Sequence, residues 1–155
     1  DVVTLDDRTE GFVEDISMRS TQIRTFANNT VIVPNTKLTQ MVITNHFLPD
    51  EEVGIVLPLS VAYDSDLEKV EELTIEVAKN VLAEYPGVED FEPIVRFKEF
   101  GDSGIKLILI ARSKTFLDKN VVKHELIKAL HKAFGKNKIE IPYPQLDVRL
   151  EQLKK

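Results

Sequence analysis

Histidine is the first residue type to consider for chemistry, because its side chain binds metals and transfers protons near neutral pH. The chain has three histidines: His46, His124 and His131. His124 and His131 are seven residues apart in a segment with helical periodicity, whereas a metal-binding pair on a helix uses the spacing i, i+4. His46 ends a predicted strand, where packing or a hinge is the favoured role. The histidines therefore predict no metal site.

Carboxylates and hydroxyls give no catalytic pattern either. The longest acidic run falls along one predicted helix, where such a run usually forms a solvated face; it contains Asp66, Glu68, Glu71, Glu72 and Glu76. The sequence GDSG at 101–104 resembles a serine protease motif, but it joins two predicted strands, and no histidine is placed to activate Ser103. The chain contains neither a Walker A loop nor a G-x-G-x-x-G motif. We therefore expect no enzyme and no cofactor.

The composition is that of a globular protein without a bias toward one ligand class. The 155 residues are 43% hydrophobic and 30% charged, with a net charge of −6 and no cysteine, which excludes disulfides and thiolate metal ligands. Both parts of the chain are mildly acidic, and no basic or basic–aromatic strand face favours nucleic acid. The longest apolar stretch, Gly54–Tyr63, is far shorter than the roughly 20 residues of a membrane helix.

Residues 1–47 predict four or five short strands. The sequence ANNT at 27–30 predicts a hairpin turn, because asparagine tolerates a positive φ. Pro34 ends the following strand because it has no N–H to donate, and Asn35 is predicted to be the N-cap of a helical turn. A module this small buries little apolar surface by itself. Two interpretations follow: it packs on the rest of the chain, or it completes its sheet with a neighbouring copy.

The rest of the chain predicts the order β-α-β-β-α-β, which is the ferredoxin-like arrangement. The first helix follows a capping box formed by Ser65 and Glu68. The second helix is predicted to begin at an Asp118 N-cap and to end before Gly135. The extended sequence NKIEIPYPQLDVRL at 137–150 is predicted as the last strand.

Several segments, in this order, resemble the soluble part of the small-conductance mechanosensitive channel family. They are GFVEDISMRSTQIRT at 11–25, VIVPNTKL at 31–38, ITNHF at 43–47, VAYDSDLEKV at 61–70 and, far downstream, IPYPQLDV at 141–148. Each motif is weak alone, but together and in this order they are specific. The resemblance covers essentially the whole chain.

The resemblance implies an α+β fold in two domains. Residues 1–47 would form a small Sm-like all-β module, and residues 48–155 a ferredoxin-like α/β domain whose strand at about 139–150 joins a small barrel. Seven copies would form a hollow vestibule on the cytoplasmic side of the cell membrane, a non-catalytic structure that filters the ions and small solutes passing through. Gating membrane helices would precede Asp1 and would be the only link to the membrane.

Seven residues are expected at the interface between copies: Arg24, Pro34, Asn35, Asn45, Tyr143, Pro144 and Gln145. A closed ring requires head-to-tail contacts, which the open strand edges of the β-module could supply. Tyr143 could anchor a neighbouring copy, and the alternative is that its segment is a tail docked on the surface. Two other functions stay open: an Sm-like RNA-binding protein and a ferredoxin-like small-molecule regulatory domain.

Overall fold

The computed structural model describes residues 1–6, 9–48, 52–85 and 91–144. The chain divides into two compact units: unit 1 contains Asp1–Val53 and Lys114–Leu117, and unit 2 contains Gly54–Ser113 and Asp118–Lys155. A β-sheet unit is followed by an α/β unit, which confirms the predicted fold class. The predicted domain boundary at residue 47 stays a prediction.

Over the residues that the structure describes, unit 1 is an antiparallel sheet of five short strands with one helical turn. The elements are β1 (Val2–Leu5), β2 (Glu10–Ile16), β3 (Ser20–Thr25), β4 (Thr30–Pro34), α1 (Asn35–Leu38) and β5 (Ile43–Asn45). The strand order is β4-β3-β2-β1-β5, so β4 and β5 are the two edges. The predicted strands are present, although β2 ends at Ile16 because the chain turns there, with the Ser17 N–H donating to the Ser20 carbonyl at 2.9 Å.

The β3–β4 hairpin turns at the predicted asparagine. Asn28 has a φ of 63°, a conformation that asparagine tolerates better than most residues. Its N–H donates to the carbonyl of Thr25 at 2.9 Å, and the Thr25 N–H donates to the carbonyl of Asn29 at 2.8 Å. These two bonds close the hairpin and set the register of β3 on β4.

The core of unit 1 lies on one face of its sheet. Period-two alternation places one side chain in two on that face. Its buried members are Val3, Leu5, Ile23 and Val33, with Val13, Val31, Leu38 and Met41 packed around them. This cluster of four buried side chains is a small core, as the length of the module predicts.

In its described residues, unit 2 consists of three strands and two helices. They are β6 (Val53–Val61), α2 (Leu67–Leu82), β7 (Ile94–Phe100), β8 (Ile105–Ser113) and α3 (Phe116–Lys136), and the sheet order is β6-β8-β7. The predicted glycine-bounded turn joins β7 to β8, with the Gly101 N–H donating to the Gly104 carbonyl at 2.8 Å. The alternating residues of β6 and β8 pack with the apolar stripes of both helices into one core.

The predicted start is wrong by one residue for α2 and by three residues for α3. The N-cap of α2 is Asp66 rather than Ser65, and the Asp66 carboxylate accepts the Lys69 N–H at 3.2 Å. Both residue types cap well, so local preference alone does not separate these adjacent positions. Helix α3 begins at Phe116, which places Asp118 in its first turn and not at its N-cap.

The predicted end of α3 is also wrong, because Gly135 lies inside the helix. The terminus forms three residues later, where Lys138 has a φ of 55°. The Ile139 N–H donates to the Phe134 carbonyl at 2.9 Å, and the Lys138 N–H donates to the Gly135 carbonyl at 3.4 Å. This pair of bonds is the Schellman motif, which usually has glycine at the position that Lys138 occupies.

The last predicted strand stays a prediction. Residues 137–144 form no strand, although the Ala62 N–H, next to the end of β6, donates to the Glu140 carbonyl at 3.0 Å. Pro142 and Pro144 follow and have no N–H to extend a ladder. Residues 145–150 of the predicted strand lie outside the described residues.

Candidate subunit interface

Arg24 lies on β3, one strand in from the edge, opposite Thr30 of β4. Its Nε is 2.8 Å from Glu14 Oε1 on β2, so the guanidinium is already paired within the chain. The pair is half-exposed, and the net contribution of such a pair to stability is about 0–1 kcal/mol. A neighbouring copy that contacts Arg24 would therefore meet the Arg24–Glu14 ion pair and not an unpaired guanidinium.

Pro34 and Asn35 connect the edge strand β4 to α1. Pro34 is exposed and occupies the N-cap position, and α1 has no side-chain cap; the prediction of Asn35 as N-cap is wrong. Instead, Asn35 Oδ1 accepts the Thr21 hydroxyl at 2.9 Å, and Asn35 Nδ2 donates to the Ser17 carbonyl at 3.0 Å. Because Asn35 is the first residue of the turn, its side chain points back to β3 rather than along α1.

Asn45 lies on β5, at the opposite edge of the same sheet. Its Nδ2 donates to Asp1 Oδ2 at 3.1 Å, and its Oδ1 accepts the Phe47 N–H at 2.9 Å. Like Asn35, Asn45 uses both ends of its amide within the chain. Asn35 and Asn45, which belong to the family-like motifs at 31–38 and 43–47, therefore use their hydrogen bonds to fix the chain at the ends of β4 and β5.

The sheet edges carry apolar side chains that the sequence interpretation did not select. Ile32 on β4 is 63% exposed, and Val42, just before β5, is 72% exposed. Edge strands with apolar side chains are usually covered by another element or another chain. The sequence contained a signal for β4: the run TVIVP is apolar at successive positions, so both faces of β4 are apolar.

The remaining predicted contact residues belong to unit 2. Tyr143 is 80% exposed and Pro144 is exposed, whereas Gln145 lies outside the described residues. The structure therefore places the described members of this set at four locations: Arg24 on β3, Pro34 and Asn35 at the β4 edge, Asn45 at the β5 edge, and Tyr143 and Pro144 in the C-terminal segment. A head-to-tail contact uses different surfaces on its two sides, so separation of the predicted residues is compatible with such a contact.

The histidines are divided between the two units, with His46 in unit 1 and the other two in unit 2. His124 and His131 are exposed on α3, as predicted. In unit 1, His46 Nε2 is 2.8 Å from the Thr4 hydroxyl, and the His46 ring packs 4.3 Å from the ring of Phe116, in agreement with the expected packing role. Among the described residues, no group of three or more histidine or carboxylate side chains is arranged to hold a metal.

The geometry defines a two-unit α+β domain with open sheet edges, a class of domain suited to assembly. Two protein-family models match the chain in succession: "Mechanosensitive ion channel, beta-domain" over residues 1–47, and "Mechanosensitive ion channel MscS, C-terminal" over residues 55–141. The chain belongs to the MscS family of mechanosensitive ion channels, which confirms the resemblance found in its sequence motifs.

Curated relatives agree with this assignment. The chain is 34% identical over 149 residues to the large-conductance mechanosensitive channel MscMJLR of Methanocaldococcus jannaschii, covering 92% of this chain and 40% of that protein. It is 29% identical over 146 residues to the small-conductance channel MscMJ of the same organism, covering 92% of this chain and 41% of that protein. The chain spans about half or less of the length of the curated relatives it matches.

Solved structures share the fold. Helicobacter pylori MscS in a closed state superposes with a TM-score of 0.83 at 23% identity, over 99% of this chain and 58% of that one. Arabidopsis thaliana MSL1 superposes with a TM-score of 0.68 at 14% identity, over 91% of this chain and 51% of that one. No helix within the described ranges combines the length and the apolar character needed to span a bilayer.

Proposed function

We propose that this chain is the vestibule region of a membrane-tension-gated ion channel, on the cytoplasmic side of the cell membrane. Copies of the chain, seven in the complete ring, enclose a chamber that ions and small solutes cross. The region is structural and solute-filtering, and it catalyses no reaction. Membrane helices outside this sequence anchor the ring and respond to tension.

The observation that carries the proposal is the succession of the two channel-family matches along one chain. Together they cover both units, so the chain has both parts of the channel region that these models describe. The Sm-like RNA-binding and small-molecule regulatory alternatives are not proposed, since both matched models describe channels.

The open edges of unit 1 support assembly. Its sheet ends at β4 on one side and at β5 on the other, and exposed apolar side chains lie at each edge. Pairing two such edges on different copies would bury these side chains and satisfy backbone groups that otherwise face solvent. Pro34 at the β4 edge and Tyr143, Pro144 and Gln145 in the C-terminal segment remain proposed contact residues. Arg24, Asn35 and Asn45 are bonded within the chain, and their main role is to hold the neighbouring strands and turns in place.

The filtering role follows from charge and enclosure. Each copy has a formal charge of −6, and a ring of copies concentrates that charge around one chamber. Fixed negative charge raises the local cation concentration within a screening length, which is about 8 Å at physiological ionic strength. Such a vestibule favours cations modestly and excludes solutes wider than its openings.

A chimera tests the channel function directly. The region of MscMJLR that aligns with this chain is replaced by residues 1–155, and the chimera is reconstituted into liposomes for patch-clamp recording under suction. We expect pressure-activated currents, with intact MscMJLR as the positive control and protein-free liposomes as the negative control. A chimera that inserts and assembles but stays silent up to the tension that ruptures the patch would contradict the proposal.

The isolated chain tests assembly separately. Multi-angle light scattering over a concentration series should show a species larger than the 17.6 kDa monomer. The membrane helices raise the effective concentration of the copies, so the isolated chain is expected to assemble only at high concentration. A strictly monomeric chain at about millimolar concentration would count against a vestibule that copies of this region build together.

A further inference from the structure

The sheet of unit 1 has a second buried face, opposite its aliphatic core. Val2 and Val3 are neighbours on β1, so the period of two places their side chains on opposite faces. Both are buried, and Val2 is only 1% exposed. Because Val3 belongs to the aliphatic core, the cover over Val2 comes from a different group of side chains.

A cluster of four rings lies within unit 1, beginning at Phe12, the residue opposite Val2. The ring of Phe12 packs edge-to-face on Phe26, with 5.6 Å between centroids, and Phe26 stacks on Phe116 at 5.7 Å. Phe116 in turn lies 4.3 Å from the ring of His46. We call Phe12, Phe26, His46 and Phe116 the aromatic cluster.

His46 joins the aromatic cluster to β1. Its N–H donates to the Val2 carbonyl at 2.9 Å, and its Nε2 is 2.8 Å from the Thr4 hydroxyl. Thr4 is two residues from Val2 and therefore lies on the same face of the sheet. These two bonds hold the His46 ring on the second face, where Phe116 packs against it.

Phe116 comes from a distant part of the sequence. The short segment Lys114–Leu117 belongs to unit 1, whereas the chain on both sides of it, Gly54–Ser113 and Asp118–Lys155, belongs to unit 2. Phe116 is buried, and it is also the first residue of α3. One continuous helix therefore begins with a ring packed in unit 1 and continues with residues of the unit 2 core.

We propose that Phe116 couples the packing of unit 1 to the first turns of α3. While these turns are formed, the helix holds the Phe116 ring against Phe26 and His46, and the second face of unit 1 stays closed. When they fray, as helix ends do, the ring leaves the aromatic cluster with its backbone and the face opens to solvent. The coupling acts within each chain and does not depend on the proposed oligomer.

The position of the ring is tested by NMR spectroscopy. An aromatic ring shifts the resonances of protons close to it, so Phe116→Ala should move the ring-proton signals of His46. The chain has three histidines, and His124 and His131 provide internal references. Leu117→Ala, at the exposed neighbouring position, is the control and should leave the His46 signals in place. Unchanged His46 signals in Phe116→Ala would overturn the proposal.

The coupling is tested by a pair of substitutions at Asn120, an exposed residue of α3 that belongs to unit 2. Asn120→Ala and Asn120→Gly differ in helix propensity by an amount that changes the opening of the helix about fivefold. The reporters are the backbone N–H groups of Val13 and His46, which donate to the carbonyls of Asp1 and Val2 at 2.9 Å. Their hydrogen exchange should be up to about fivefold faster in the glycine variant than in the alanine variant.

The same pair in a Phe116→Ala background separates coupling from general stability. Without the ring, the difference in exchange between Asn120→Ala and Asn120→Gly should disappear at Val13 and His46. A difference of equal size in both backgrounds would show that unit 1 responds to α3 by another route, and no difference in either would show that it opens independently; each result overturns the proposal. If circular dichroism shows that Phe116→Ala does not fold, Phe116→Leu removes the ring but keeps an apolar side chain, and it replaces alanine in both experiments.

Discussion

The hydroxyl of Thr21 donates a hydrogen bond to Oδ1 of Asn35, at 2.9 Å and across 14 positions of sequence. Thr21 is buried on β3, and Asn35 begins the helical turn that follows the edge strand β4. The amide of Asn35 also donates to the Ser17 carbonyl in the turn between β2 and β3. The Asn35 side chain thereby ties α1 to β3 and to the turn between β2 and β3.

We expect Asn35→Ala to lower the free energy of unfolding by about 1–3 kcal/mol, because the buried Thr21 hydroxyl loses its acceptor. Removing both partners in Thr21→Val/Asn35→Ala should cost less than the sum of the single substitutions, since no polar group is then left unpaired. Urea denaturation measures all three variants, with Thr36→Ala on the same turn as the exposed control. Strict additivity would show that the bond contributes nothing to stability.

Gly11 lies where β2 pairs closely with β3, opposite Thr25. A Cβ at this position would overlap the Arg24 carbonyl oxygen and lie 2.9 Å from Ile23 Cγ2. We therefore expect Gly11→Ala to destabilise the chain by about 1–3 kcal/mol, as overpacking does. The control is Gly54→Ala on β6, where a Cβ would meet nothing within 4 Å; it should be neutral or stabilise by up to about 1 kcal/mol. Thermal denaturation compares the two, and equal effects would contradict the prediction.

Lys138 occupies a conformation that glycine adopts at lower cost. Its φ of 55° ends α3 in a Schellman motif. Replacing it with glycine should raise the free energy of unfolding by about 0.5–1 kcal/mol, because the Cβ strain disappears. Lys136→Gly, two residues earlier and inside the helix, should instead cost up to about 1 kcal/mol. If chemical denaturation shows that both substitutions destabilise, Lys138 is not strained.

Glu99 and Lys106 face each other across β7 and β8, with 2.8 Å between Lys106 Nζ and Glu99 Oε1. The hydrogen bond and charge of Lys106 lower the pKa of Glu99 below its ordinary value, and the hydrogen bond and charge of Glu99 raise the pKa of Lys106 above its ordinary value. Lys106→Met should therefore return the Glu99 pKa toward its ordinary value in an NMR titration. Lys98→Met on the neighbouring position of β7 is the control.

The sign of the pH dependence follows from these directions. The contribution of Glu99 to stability is present above its unfolded pKa and is lost as pH falls through the lowered folded value. The contribution of Lys106 is present below its unfolded pKa and is lost as pH rises through the raised folded value. Because both groups are exposed, the change in melting temperature should be small. A Glu99 pKa that does not move in Lys106→Met would contradict the pairing.

Much of unit 1 could be predicted because its signals are local. Alternation along each strand selects the buried face, and Asn28 forms the turn that ANNT predicts. The ends of the helices were predicted less well. Ser65 and Asp66 are both good caps, and Gly135 is a good stop signal, yet α3 continues past it until Ile139 can pack beside Phe134 in the core. Where several residues could begin or end a helix, packing in the core determines which one does.

The amino-acid sequence alone was enough to predict the order of strands and helices as far as α3 and membership in the channel family, because periodicity and short motifs are properties of neighbouring residues. Folding in three dimensions sets which groups meet: Asn35 bonds to Thr21 instead of capping α1, and β4 and β5 become the edges of the sheet. These relationships join residues distant in the chain, so only the folded backbone sets the distances between them.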